Sequence, residues 1–235
     1  MLSRRQSFLV GFTGLVLLLI STTFAPEFLS SYNHEKMSLS PFEHPPFGTN
    51  KNGIPYLEYV LQGAQVIALP ALLSGLLVLF LSIVAGITRC AGLSRVDLVL
   101  QGFSEVVGAL PRLVVVLVVA LAVSAQGRSL YAIGITWALL AAPGAMDEAA
   151  AAAGRLGGAR FVEALRAHGF GAARIYFNHI LWRNLRSVVV RQAAEVAVQV
   201  VFLEISLSYL ANATNLPALT HADSTHSWAR LLYEG

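Results

Sequence analysis

Hydrophobic residues in this chain gather into five long runs, separated by short polar segments. The runs cover residues 7–25, 59–87, 98–125, 129–146 and 188–211. Each approaches or exceeds the roughly 20 helical residues that cross a bilayer's hydrocarbon core. None alternates strictly between apolar and polar positions, so the pattern speaks against a membrane β-barrel. Proline and glycine occur inside several runs, which membrane helices tolerate better than soluble ones do. No internal repeat is visible. The pattern predicts an all-α membrane protein with about five transmembrane helices.

Composition supports that reading. Of 235 residues, 56% are hydrophobic and only 12% charged, where a soluble domain carries about 25% charged residues. Too few polar side chains exist to cover a water-facing surface. The net charge of +3 is small and the arginines are dispersed, which excludes the concentrated basic patch of a nucleic-acid binder. The single cysteine, Cys90, has no partner for an internal disulfide.

Arginine placement sets the orientation. With the N-terminus inside, the inner segments carry Arg89, Arg95, Arg155, Arg160, Arg166 and Arg174, with Arg183 and Arg186 at the start of the last span. The outer segments carry only Lys36, Lys51, Arg128 and Arg230. Short cytoplasmic loops are enriched in Lys and Arg, so this orientation is preferred. The expected organisation is a transmembrane anchor at 1–25, an external loop at 26–58, a core at 59–211 with a cytoplasmic segment at 147–187, and an external segment at 212–235. The anchor, headed by Arg4 and Arg5 and followed by Pro26, also has the form of a cleavable leader. The retained anchor is the preferred reading, and either leaves the rest of the topology unchanged.

The cytoplasmic stretch FVEALRAHGFGAARIYFNHIL, residues 161–181, is unusually polar for this chain. Phe161, Leu165, Ala172, Ile175, Tyr176, His179 and Ile180 recur at helical spacing. Glu163 lies in a first turn and Arg166 and His168 in a last, as the helix dipole favours. Gly169 and Gly171 come next, where a helix ends and the chain turns. The expectation is a short helix, a glycine turn and a second helix re-entering the membrane. Lying at the lipid interface is one use for such a helix. Ala164 and Ala167, beside few large hydrophobes, suit close packing against protein better.

Glu163-Ala164-Leu165, then Gly169, then Ile180-Leu181, resembles the EAA loop of ABC importer permeases. HPPFGTNKNG at 44–53, LEISLSYL at 203–210 and HSWARLL at 226–232 are similar, in order, to segments of the dipeptide, oligopeptide and nickel importer group, in its second permease subunit. Departures occur at Asn50, Ile54-Pro55, Leu165 and Trp182-Arg183. Members of the group carry a sixth span after the segment matching 226–232, so the chain is expected to lack that last span.

The resemblance implies a multi-pass subunit of the bacterial inner membrane, forming part of a translocation path for peptides or similar small solutes. It implies a second homologous permease subunit, two cytoplasmic ATPase subunits and an external solute-binding protein as partners within the lipid bilayer. Glu163, Ala164, Leu165, Gly169, Ile180 and Leu181 become the ATPase-coupling residues, with Glu163 accepting a charge-assisted hydrogen bond from the ATPase. The alternative is a degenerate permease-like assembly subunit of a larger complex, without transport. A stand-alone secondary transporter fits less well, since inverted repeats are absent.

No cofactor is expected in this chain; ATP and Mg²⁺ would belong to the partner ATPases. The only lysines, Lys36 and Lys51, lie in no phosphate-binding Gly-x-x-x-x-Gly-Lys sequence. The six histidines show no metal-ligand spacing; His221, Asp223 and His226 are read as a solvated loop. Catalysis is not expected, nor a nucleic-acid partner. Ionisable residues within spans are costly and so informative. Glu105 and Arg112 fall on one face of the third run, Arg191 and Glu195 form an i,i+4 pair able to neutralise itself, and Glu204 is read as structural. Gln192, Glu195 and Gln199 form a polar stripe on the fifth run, lining either a translocation path or a contact with a partner subunit or another helix of this chain.

Overall fold

The computed structural model describes residues 37–43, 47–51, 53–122, 130–171, 174–214 and 228. The expected anchor at 1–25, His44, and nearly all of the segment at 212–235, including His221, Asp223 and His226, lie outside them. Among the described residues the chain is helical, without strands. The elements are α1 (Tyr56–Ala91), α2 (Ser94–Gly108), α3 (Arg112–Ala122), α4 (Leu130–Gly157), α5 (Arg160–Ala167), a π-helical segment (Ile175–Leu185) and α6 (Arg186–Thr214).

Among the described residues, three stretches are long and apolar enough to cross a membrane: Tyr56–Ala91, Leu130–Gly157 and Ile175–Leu210. The expected third span is not one helix. Arg95–Gly108 and Arg112–Ala122 meet at 80°. Pro111 explains the break: it has no N–H to donate, and its ring disfavours helical geometry at Leu110. The chain tightens first, with Leu110 N–H donating to Val107 C=O at 3.1 Å, and restarts with Val115 N–H on Pro111 C=O at 3.1 Å. Glu105 and Arg112 therefore sit on two helices rather than on one face, correcting the reading from spacing. The fourth run also differs. Its helix continues past Met146 to Gly157, because the alanine-rich stretch 149–153 has the highest helix propensity available.

Residue contacts divide the chain into two compact units, 1–69 with 204–235, and 70–203. In the first, the FGTN-containing loop wraps around Thr49 and Asn50, each only 2% exposed. Leu39 N–H donates to Thr49 Oγ1 and Ile54 N–H to Asn50 Oδ1, both at 2.9 Å. Gly48 at φ +79° permits the turn, since a Cβ there would collide with the Leu39 carbonyl oxygen. Tyr56 N–H then donates to Gly48 C=O at 3.1 Å, fastening the loop to the start of α1. Trp228 Nε1–H donates to Val60 C=O at 2.9 Å, and Ser208 Oγ–H to the buried Glu204 carboxylate at 3.0 Å.

In the second unit α4 is central, packing against α2, α3 and the π-helical segment. Its buried face is mostly small: Ala138, Ala141, Ala142, Ala145, Ala149, Ala150 and Ala153. Small residues let helix backbones approach closely, which is how membrane helices associate when lipid offers no hydrophobic contrast. Gly75 shows the closeness, since a Cβ there would lie 2.8 Å from the Ala193 carbonyl oxygen of α6. Large side chains point outward instead: Leu98, Val99, Val106 and Leu113 are each about 70% exposed. That inside-out distribution suits hydrocarbon or a partner helix as the surrounding medium.

Candidate functional site

The short helix α5 is rooted on one side only. Val162 is fully buried and Leu165 half-buried, in a core with Cys90 of α1, Ala149 and Ala153 of α4, Ile175, Tyr176, Ile180 and Leu185 of the π-helical segment, and Val189 of α6. Glu163, Ala164 and Ala167 occupy the outward face and are exposed. The helix closes by a glycine cap. Phe170 N–H donates to Leu165 C=O at 3.1 Å and Gly169 N–H to Arg166 C=O at 2.9 Å, with Gly169 at φ +79°. This is the Schellman arrangement, and its usual apolar contact is present, as Leu165 and Phe170 both pack on the same core.

Side-chain contacts secure the capped end of α5 to the π-helical segment. Arg166 donates to Tyr176 Oη at 3.0 Å, Arg174 lies 5.0 Å over the Phe170 ring, and Phe170 meets His179 edge-on at 6.0 Å. The expected second helix is π-helical, not α-helical, over Ile175–Leu185. Buried Ile175, Ile180 and Leu185 recur every fifth residue, the step of an i→i+5 helix. Asn184 Nδ2–H donates to His179 C=O at 2.7 Å, spanning the same five residues. Of the six expected coupling residues, Glu163, Ala164 and Gly169 are exposed, Leu165 and Leu181 half-buried, and Ile180 is core.

The polar stripe on α6 borders a cavity of about 240 Å³ whose walls include Arg112, Ala141, Gly144, Gln192, Glu195 and Gln199. The three stripe residues are thus brought together as spacing predicted, but their partners are different. Arg191 does not pair with Glu195; it donates to Glu148 of α4, as does Gln192. Glu195 accepts instead from Gln199 Nε2–H at 3.3 Å, and Gln199 Oε1 accepts from Trp137 Nε1–H at 3.0 Å. Arg112 is exposed at the start of α3, with a guanidinium nitrogen 4.0 Å from where a Gly144 Cβ would stand.

Asp147 and Glu148 escape sequence reasoning, which ends the fourth span just before them. They tie α4 to two different neighbours. Ser104 Oγ–H of α2 donates to Asp147 at 2.9 Å, while Glu148 holds α6. Adjacent carboxylates within an alanine-rich helix are the available signal. Nearby, Arg89 and Asp97 form an ion pair at 2.8 Å across the α1–α2 turn. Among the described residues no cluster of three or more potential metal ligands occurs. No protein-family model matches the chain, and no curated protein matches it.

Proposed function

We propose that this chain is the permease subunit of an ATP-driven importer in a bacterial inner membrane, with its N-terminus inside. α5 is the coupling helix, receiving a cytoplasmic ATPase on its outward face. A second permease subunit, a second ATPase and an external solute-binding protein complete the assembly, and the cavity beside α6 belongs to the path for peptides or similar small solutes. The observation that carries this reading is the construction of α5. Its outward face presents the Glu163 carboxylate beside Ala164 and Ala167, flanked by the exposed Arg160 and Arg166. Its inward face is wedged into the core shared by α1, α4, the π-helical segment and α6. A push on such a helix reaches three long helices, which is what transmission of a two-state closure requires.

The test is direct. The chain is expressed in a bacterial host with its neighbouring genes and purified by a tag, and bound proteins are identified. An ATPase should co-purify and crosslink to a photoreactive group at Ala167. Glu163→Lys should reduce solute-stimulated ATP hydrolysis at least tenfold while membrane insertion stays normal. Undiminished stimulation in Glu163→Lys, or crosslinks from Ala167 to lipid alone, overturns the proposal.

A further inference from the structure

The cavity between α3, α4 and α6 holds two opposite charges that neutralise nothing inside the described chain. Arg112 makes no ion pair or hydrogen bond with the described residues, and Glu195 engages only the neutral Gln199. Both lie in the apolar third and fifth runs of the sequence. Within a bilayer an uncompensated charge is costly and marks a water-filled path or a ligand. The neighbouring ion pair, Arg191 with Glu148, is complete without either residue.

We propose that this cavity is a binding site for a small zwitterion, with Arg112 holding its carboxylate and Glu195 its ammonium. Three features support the assignment. First, Arg112 opens α3 directly after the Pro111 break, so the first-turn N–H groups of a half-helix add positive potential beside the guanidinium. Broken membrane helices use such ends to receive anionic groups, and a guanidinium matches a carboxylate in a planar, bidentate way. Second, the wall charges exclude simpler solutes. A bare anion would face Glu195, a bare cation would face Arg112, and an apolar solute would strip water from both. Third, the cavity, at about 240 Å³, has room for an amino-carboxylate of single-residue size.

This inference rests on reading the α6 stripe as part of a path, but binding needs no ATPase, so the two proposals fail separately. The test uses the full chain in lipid nanodiscs with Trp182→Phe and Trp228→Phe, leaving Trp137 as reporter through its bond to Gln199. L-alanine should change Trp137 emission saturably, whereas propionate and propylamine at the same concentrations should not. Arg112→Gln and Glu195→Gln should each weaken alanine binding at least tenfold, and Arg112→Lys less than Arg112→Gln. Circular dichroism identifies any variant that fails to fold, and the Lys variant then carries the comparison. Absence of a saturable response to alanine, an equal response to propionate, or binding that survives both neutralising variants overturns the proposal.

Discussion

Replacing Gly169 separates two properties of a glycine: its small size and its left-handed backbone. At φ +79° an added Cβ at Gly169 would meet nothing within 4 Å. Bulk is therefore not the obstacle, and the penalty comes from conformation. Left-handed geometry costs an L-residue about 1–2 kcal/mol, with Asn the common exception. A penalty of that size changes an equilibrium about 5- to 30-fold. The bonds at risk are Phe170 N–H to Leu165 C=O and Gly169 N–H to Arg166 C=O. Amide hydrogen exchange on the full chain in nanodiscs reads them. Protection at Phe170 should fall about 5- to 30-fold in Gly169→Ala, further in the β-branched Gly169→Val, and little in Gly169→Asn. If α5 receives an ATPase as proposed, ATP hydrolysis coupled to solute should follow the same order. If Gly169→Ala exchanges like the unmodified chain, or Gly169→Asn behaves like Gly169→Val, backbone handedness is not what holds the end of α5.

Other substitutions test the packing and the loop. Gly75→Ala drives a methyl toward the Ala193 carbonyl oxygen and should lower stability by about 1–3 kcal/mol. Gly102→Ala, with open space around it, should raise stability by about 0.5–1 kcal/mol; thermal melts read both, and equal shifts would refute the packing argument. Glu148→Gln removes an ion pair whose side chains are 61% and 39% exposed, so a double-mutant cycle with Arg191→Gln should give a coupling of about 0–1 kcal/mol. A value several-fold larger would mean the pair is desolvated. Gly48→Ala meets both a left-handed backbone and the Leu39 carbonyl, so proteolysis of the loop before α1 should accelerate markedly; unchanged cleavage would show that the turn does not need glycine.

The features legible in the sequence are those with a local cause. Three described apolar runs are long helices because their length and composition leave no alternative in a bilayer. Gly169 ends α5 because a left-handed cap calls for glycine, and that signal sits within a few residues. Less legible is anything decided between elements. Arg191 and Glu195 have the spacing of an intrahelical pair, yet α4 brings Glu148 within reach and takes the arginine away. Glu105 and Arg112 share a face only if the helix is continuous, and Pro111 prevents that. Within 175–185, Ile175, Tyr176, His179 and Ile180 satisfy a 3.6-residue period and so suggest an α-helix. The five-residue step from Ile175 through Ile180 to Leu185 is the better clue, and it points to a wider helix.

These corrections converge on α4. Asp147 engages α2, Glu148 engages α6, and the small face of the same helix meets the π-helical segment that carries α5. A π-helical segment is a costly way to join two helices, since its hydrogen bonds close wider turns than those of an α-helix. Its retention has a physical use if the turn count must change. Under the proposed coupling, a displacement of α5 would be taken up as one register step in that segment, to which the Arg166–Tyr176 bond ties it. The movement would pass to α6, and along α6 to Glu195 and Gln199 at the cavity wall. On this view α4 is the fixed post, α5 the handle and the π-helical segment the joint, so substitutions that lock the joint into α-helical form should uncouple the handle from the cavity while leaving both intact.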